Sequence, residues 1–320
     1  MRSFEIILVL ILGFILDVLL GDPPYLIHPV VIIGKLIGFL EKAIRELLPK
    51  TKAGERLGGG IMTFLVIAIS FILPWFILMV VKNINYLFKI VLEVFWCWQI
   101  LAIKTMAVEA KGVFEPLEDN DIPRARKQVA RIVGRDTDSL DEVGVIKAAV
   151  ETVAESTSDG IVAPMLFMAI GGIPLGFLYK AVNTMDSMVG YKNERYRFFG
   201  TASARMDDLL NFIPARLTAL LMIAGARVIK LDYGNAYAVW KRDRKKHASP
   251  NSGNPESACA GALGIKLGGD AYYFGELYHK ETLGDDLRRP EKEDILMTVK
   301  LMYVTSILCL VVMIIGRMFI

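Results

Sequence analysis

The stretch that most constrains this chain is Ile161–Val182. It is apolar and long enough to cross a bilayer, yet Pro164, Gly171, Gly172 and Pro174 interrupt it. Acids, amides and hydroxyls crowd both flanks: ETVAESTSDG precedes it and NTMDSMVGYKNERYR follows it. Polar groups are costly beside hydrocarbon, so such flanks mark a functional site. Backbone broken in this way is tolerated at membrane depth only where it is buried in protein or lines a cavity. The expectation is a broken or re-entrant helix pair with a polar site at its edge.

Other segments set the class. Phe4–Leu20, Ile61–Val81, Leu209–Ile229 and Val299–Ile320 approach the ~20 residues that span hydrocarbon. Tyr86–Met106 carries Glu93, Gln99 and Lys104 and either spans or lies in the interface. Hydrophobic residues make up 54% of the 320 and mean hydropathy is +0.44, too apolar for an ordinary soluble domain. The predicted fold is all-α: a multi-pass helical integral membrane protein with large polar loops, residues 1–320 forming one membrane-embedded catalytic domain. Met1–Leu20 has a thin basic start and no small-residue cleavage site, so it is read as a retained first helix. The loop Gly21–Gly60 is basic (Lys35, Lys42, Arg45, Lys50, Lys52, Arg56), as is KRDRKKH at Lys241–His247. Both are expected in the cytoplasm. A net charge of +3, from 37 basic and 34 acidic residues, carries no nucleic-acid footprint. Cys97, Cys259 and Cys309 match neither a disulfide framework nor a metal spacing.

Three groups of residues could carry chemistry. Glu151, Glu155 and Asp159 recur at i, i+4, i+8 and share one helical face. Stacked carboxylates repel unless a cation or proton lies between them, and Mg²⁺ with phosphate is a natural partner. The bland alternative is a solvated acidic stripe. Asn183 and Asp186 share a face just after the broken segment, serving either as a helix cap or as part of the site. Tyr191, Lys192, Arg195, Arg197 and Arg205 follow, as anion-binding groups or as headgroup anchors. The third group is HASPNSGNPES, His247–Ser257, with Ser249, Asn251, Ser252, Gly253, Asn254, Glu256 and Ser257 in a short run. It reads as a polar linker or as a backbone nest for an anion. His28 stands in GDPPYLIHPV, and His28, His247 and His279 all lie in polar loops. No Gly-x-x-x-x-Gly-Lys-Ser/Thr string is present, which excludes a P-loop.

Four long strings appear together in order: LDVLLGDPPYLIHPV (16–30), ETVAESTSDGIVAPMLF (151–167), KAVNTMDSMVGYKNERYRFFGTASARMDDLLNFIPARL (180–217) and HASPNSGNPESACAGALGIKLGG (247–269). In these the chain resembles the adenosylcobinamide-phosphate synthase family of cobalamin biosynthesis. The resemblance implies a membrane ligase that joins a propionate carboxylate of adenosylcobyric acid to the amine of an aminopropanol phosphate or similar amino-alcohol phosphate. The product would be adenosylcobinamide phosphate. ATP enters as co-substrate on the resemblance alone, the corrinoid is substrate rather than prosthetic group, and association with other cobalamin-assembly membrane enzymes is expected. On this reading Glu151, Glu155, Asp159, Asp186 and His247 are catalytic, and Glu151, Glu155, Asp159 and Asp186 hold Mg²⁺. The substrate-binding set is His28, Asn183, Lys192, Arg195, Arg205, Ser249, Asn251, Ser252, Asn254 and Glu256. The serine- and glycine-rich loop would take the amino-alcohol phosphate. Two other classes stand beside this one. A Mg²⁺-dependent membrane prenyl or phospho-alcohol transferase would also place acids at a bilayer edge. A non-catalytic membrane regulator, related to a protein of beta-lactamase induction, would not need the full polar set.

Overall fold

In the computed structural model every residue is described except Met1, Pro24, Lys192, Phe274 and Ile320, together with the side chain of Arg2. The helices are α1 Arg2–Leu20, α2 Pro29–Leu47, α3 Lys52–Ile84, α4 Tyr86–Ile100, α5 Ile103–Glu118, α6 Ile122–Val129 and α7 Glu142–Thr157. A π turn, Ser158–Val162, leads into α8 Ala163–Gly171, followed by α9 Ile173–Val189, α10 Thr201–Leu210, α11 Phe212–Val228, α12 Tyr233–Asp243, α13 Gly253–Leu263 and α14 Glu293–Met318. Among the described residues, strand structure is confined to two short antiparallel ribbons. β1 Leu267–Gly268 pairs with β4 Thr282–Leu283, and β2 Ala271–Tyr273 pairs with β3 Glu276–Tyr278.

Among the described residues, five stretches can cross a membrane by length and composition: Ser3–Leu20, Lys52–Ile84, Tyr86–Glu118, Glu142–Gly171 and Glu293–Met318. A sixth is the pair α10 and α11, broken at Asn211. The chain is therefore a multi-pass helical membrane protein, as composition predicts. Helix boundaries differ from the sequence reading where polar turns join apolar ones. The helix ahead of the broken segment begins at Glu142 rather than Ile161, because Asp141 caps it by accepting from Gly144 N at 2.7 Å. Glu151, Glu155 and Asp159 thus lie within that long helical stretch, as their spacing predicts. The break falls at Gly172, whose φ of +75° is open to glycine and strained for other residues. Pro174 is the second residue of α9, in the first turn, where its missing N–H leaves no intrahelical bond unmade.

The chain forms two compact units. The first comprises Met1–Ala102, Ala163–Asn211 and Val312–Ile320. Its α3 runs for 33 residues, about 50 Å at 1.5 Å per residue, and packs against α9, α2, α4 and α10. The close fit of α3 to the 196–200 turn depends on Gly59, where a Cβ would lie 1.8 Å from the Phe199 carbonyl oxygen. The second comprises Ile103–Val162 and Phe212–Val311. At its centre is α13, every residue of which is buried, packed on α12, α11 and α7. A Cβ at Gly253 would lie 2.8 Å from the Arg244 carbonyl oxygen, so packing explains this glycine without a ligand.

Candidate functional site

Among the described residues each unit holds a dense polar cluster that contains expected site residues. In the second, Glu151 on α7 is buried and both its oxygens are engaged. Oε1 accepts from Gly268 N at 2.7 Å and Oε2 lies 3.0 Å from Arg135 Nη1. Glu256, in the first turn of α13, and His247 are only 6% and 5% exposed, with Oε2 and Nδ1 3.6 Å apart. His247 Nε2 lies 3.3 Å from the Glu281 carbonyl oxygen. A carbonyl only accepts, so that contact assigns the proton to Nε2 and leaves Nδ1 with its lone pair. Nδ1 faces the Ser252 hydroxyl at 3.5 Å and Glu256.

Charge follows burial here. Burial first, then the neighbouring Glu155 and Glu151, push the Glu256 carboxyl well above the usual carboxylate range, against the pull of Lys280 and Arg135. Burial and the Lys280 charge push His247 below the ordinary imidazole value, against Glu151 and the Glu281 carbonyl. Burial works against the Lys280 ammonium, but its bond to Tyr273 and the charges of Tyr273, Glu256 and Glu151 outweigh it and its pKa is raised. The cluster opens to solvent at the exposed Glu155. It combines an imidazole whose protonated form is disfavoured, a carboxyl whose ionised form is disfavoured, and two cations.

The rest of the His247–Ser257 segment builds the cluster's wall. Ser249 Oγ accepts from Asn251 N at 3.2 Å and Ser252 N at 3.4 Å. Asn251 Oδ1 accepts from Arg216. Asn254 accepts from Trp240 Nε1 at 3.2 Å and donates to the Pro250 and Asn251 carbonyls. Ser257 Oγ donates to the Gly253 carbonyl. Below this segment Asp243 accepts from Arg242, Lys246 and Gly284 N, and these bonds hold its carboxyl far below the usual range despite burial.

The first unit carries the other cluster, where α9 meets α10. Tyr179 donates to Asn211 Oδ1 at 2.8 Å, and Asn211 Nδ2 donates to Asp207 Oδ2 at 3.0 Å. Asn183 also bonds Asp207, and the Asp186 carboxylate is near enough to repel it. The buried Oδ1 of Asp207 has no hydrogen-bond partner among the described residues. In the same unit, Glu41 gathers Arg45 Nε at 3.0 Å, Arg195 Nη2 at 3.0 Å and the Tyr196 hydroxyl at 3.4 Å. Arg195 is otherwise exposed, as is Arg205. His28 caps α2, accepting from Val30 N at 3.2 Å, with Asp22 at 3.5 Å. Lys192 lies outside the described residues.

Of the expected site residues, Glu151, Glu155, His247, Ser252 and Glu256 gather in one unit, with Asp159 on the π turn after α7. Asn183 and Asp186 gather in the other. The reading from sequence missed Arg135, Lys280, Tyr179, Asp207 and Asn211. For Asp207 and Asn211 an i, i+4 spacing after Arg205 was available as a signal. Arg135 and Lys280 had none, since what recruits them is a charge distant in sequence.

These donors test the expected magnesium site. Among the described residues no group of three or more His, Cys, Asp or Glu is placed to hold a metal. Glu151 is spent on Arg135 and Gly268. Asp186 and Asp207, with an oxygen of Asp207 unbonded, match a different design, in which Mg²⁺ takes one or two carboxylates and completes its shell with water and substrate phosphates.

Comparison with known proteins sets these clusters in a family. Residues 10–302 match the model of the CobD/Cbib protein family. The chain belongs to that family. The cobalamin biosynthesis protein CobD of Geobacter metallireducens is 47% identical over 310 residues, covering 97% of this chain and 96% of the relative. The CobD protein of Clostridium perfringens is 44% identical over 308 residues, 96% and 97% of the two chains. The cobalamin biosynthesis protein CbiB of Salmonella typhi is 44% identical over 306 residues, 96% of each. No solved structure matches. Both polar clusters fall inside the span shared with the CobD/CbiB family, and the sequence resemblance therefore points to the correct family.

Proposed function

We propose that this chain acts in cobalamin biosynthesis as an adenosylcobinamide-phosphate synthase, an ATP-dependent amide ligase. The substrates are adenosylcobyric acid and an amino-alcohol phosphate. The observation that carries the reading is the pairing of a neutral, buried His247 with Glu256, flanked by Arg135 and Lys280.

Amide formation from a carboxylate needs a leaving group and a deprotonated amine. A propionate oxygen attacks the γ-phosphorus of ATP, ADP departs, and an acyl phosphate results. The amine nitrogen then attacks the acyl carbon and inorganic phosphate leaves. The amine arrives as an ammonium and must lose a proton first. His247 suits that step, because its Nδ1 lone pair is held free by the Nε2–H bond to Glu281 and its protonated form is disfavoured. Lys280 is the cation available to an anionic oxygen that develops nearby. Arg135 holds Glu151 and so positions α7 against the 267–268 backbone.

Magnesium enters as part of the nucleotide substrate. Asp186 and Asp207 are the carboxylates assigned to it, with Asn183 and Asn211 orienting Asp207. When bound, the ion neutralises phosphate oxygens. The basic Gly21–Gly60 loop supports placement of the loop side in the cytoplasm, where nucleotide is found.

The test is mass spectrometry of the corrinoid after detergent-purified protein is incubated with adenosylcobyric acid, an amino-alcohol phosphate and Mg-ATP. The expected result is a corrinoid heavier by the amino-alcohol phosphate less one water. Failure to form it with any amino-alcohol phosphate, combined with detected isoprenoid or phospho-alcohol transfer, overturns the ligase reading in favour of a transferase.

A further inference from the structure

In the run KRDRKKH the cations divide their work. Asp243 gathers Arg242 and Lys246. Arg244 stands between them and joins neither. Its guanidinium lies 4.4 Å from the centre of the Trp240 ring. Among the described residues that side chain makes no hydrogen bond and pairs with no carboxylate. The Trp240 indole donates to Asn254, whose amide donates to the Pro250 carbonyl. A second arginine meets the chain there. Arg216, near the start of α11, donates from Nη2 to the Pro250 carbonyl at 3.4 Å and from Nη1 to Asn251 Oδ1 at 3.3 Å. Its guanidinium lies 3.6 Å from the centre of the Phe212 ring.

Two like charges therefore stand close together. Arg244 is near enough to Arg216 for their charges to repel, and both side chains are half-buried. Arg216 also has no carboxylate partner among the described residues. Elsewhere in this chain a guanidinium answers an acid, as Arg45, Arg135 and Arg195 do. Stacking on an aromatic face holds a guanidinium in place and leaves its N–H donors to other partners. Arg216 spends three of its five donors on the Phe212 and Pro250 carbonyls and Asn251, and Arg244 spends none. A cation in an apolar helix such as α11, half of the broken candidate span, is costly and marks a binding role by default.

Charge names the ligand. Two positive charges with no acid between them are balanced by a dianion, and the arginine fork matches phosphate oxygens. A phosphomonoester carries about −1.5 to −2 near neutral pH. A phosphodiester or a sulfate ester carries a single charge. We propose that Arg216 and Arg244 hold the dianionic phosphate of a phosphomonoester, which on the reading above is the phosphate end of the amino-alcohol substrate. Asn251, held by Arg216, immediately precedes Ser252, whose hydroxyl faces His247. The phosphate site thus moves from the serine- and glycine-rich loop to its flank. The loop's amides Asn251 and Asn254 are engaged within the protein, and the two arginines supply the charge that they lack.

The test uses the full-length protein in phosphatidylcholine nanodiscs, without ATP or corrinoid. Binding of radiolabelled ethanolamine phosphate and aminopropanol phosphate is measured by equilibrium dialysis near neutral pH. One or both should bind, with inorganic phosphate competing and ethanolamine not. The sulfate ester of ethanolamine, similar in shape with less charge, should bind about ten-fold more weakly. Arg244→Gln should weaken phosphate binding by roughly 10- to 100-fold, since a charge-assisted bond is lost. Arg244→Lys keeps the charge without the fork and should fall between. Arg216→Gln should act in the same direction, and Arg244, whose side chain bonds nothing in the protein, keeps the test decisive where that variant misfolds. A wild type that binds neither phosphate, equal binding of the sulfate ester, or wild-type affinity in Arg244→Gln overturns the proposal. So does a phospholipid that wild type retains through detergent exchange, that Arg244→Gln loses and that ethanolamine phosphate does not displace, because the site is then a headgroup site. Binding is read without turnover. An inactive protein that still binds through Arg244 refutes the ligase reading alone, and an active one whose affinity ignores Arg244 refutes this inference alone.

Discussion

Glu256 Oε2 stands 3.6 Å from His247 Nδ1, and both side chains are closed off from water. The Glu281 carbonyl fixes the ring proton on Nε2, so the two groups meet as an acid and a lone pair. Removing the lone pair should remove the base. His247→Gln is expected to lower turnover by roughly 10²- to 10⁴-fold, the usual range for a general base. Because burial depresses the imidazolium, wild-type kcat/KM should hold through pH 6.5 and fall only below that ordinary value. The variant should lose this acid limb. A variant with near-wild-type rate and an unchanged pH profile would remove His247 from the chemistry.

Glu256 makes a prediction about stability. Its carboxyl pKa is raised in the folded state, so the folded chain binds a proton that the unfolded chain has released. Stability should then decline as pH rises above the ordinary value of 4.5, toward the raised one. Glu256→Gln keeps the shape and removes the titration. Thermal unfolding measured between pH 5 and pH 8 should show a shallower decline in the variant. Parallel curves for the two proteins would mean that Glu256 is not the group responsible.

Asp186 and Asp207 give the test of the nucleotide-borne ion. Asp207→Asn removes one of two facing carboxylates while Asn211 and Tyr179 remain to hold its neighbours. Turnover should drop by about 10²-fold, and the Mg²⁺ concentration for half-maximal rate should rise. Asp186→Asn should act in the same direction. A lost rate with an unaltered Mg²⁺ requirement would point to a structural role for the pair.

How much of this was legible in the sequence depends on the range of the contact. The apolar lengths gave the helical membrane class, because a bilayer fixes how many residues a span needs. The break at Gly172 was visible because glycine and proline act locally on the backbone. Glu151 and Glu155 were visible through helical spacing. Their partners were not, since the Glu151 bond to Gly268 N joins residues 117 positions apart. Such pairing leaves no period in either segment. Arg135 lies 16 positions before Glu151, in a stretch with no spacing that ties it to that carboxylate. The loop from His247 to Ser257 was legible as special, but its purpose was harder to read. Asn251 and Asn254 are spent on Arg216, Trp240 and the loop's own carbonyls, while Ser252 faces His247.

That division of labour is measurable. Asn254→Ala leaves Trp240 Nε1 and two carbonyls without their buried partner, which costs about 1–3 kcal/mol. The melting temperature should fall by roughly 2–10 °C for a chain of this size. Ser252→Ala removes one hydroxyl at the edge of hydrogen-bond range and should leave melting nearly unchanged while moving the kinetics. If Asn254→Ala melts like wild type and instead raises KM for the amino-alcohol phosphate, that amide contacts substrate.

The packing of α3 yields the sharpest structural contrast. Gly59 and Gly60 are neighbours in one helix, and alanine is the better helix former at both by about 1 kcal/mol. At Gly60 a Cβ meets nothing within 4 Å. At Gly59 it would lie 1.8 Å from the Phe199 carbonyl oxygen, which is backbone and cannot swing aside. Gly60→Ala should therefore melt at or slightly above the wild-type temperature. Gly59→Ala must push the 196–200 turn away from α3, disturbing the Arg45 guanidinium that stacks 4.2 Å from the Phe199 ring and bonds the Arg195 carbonyl. Overpacking of this kind costs about 1–3 kcal/mol or more, so its melting temperature should fall by several degrees. Equal melting of the two variants would show that the turn does not rest on α3 at Gly59.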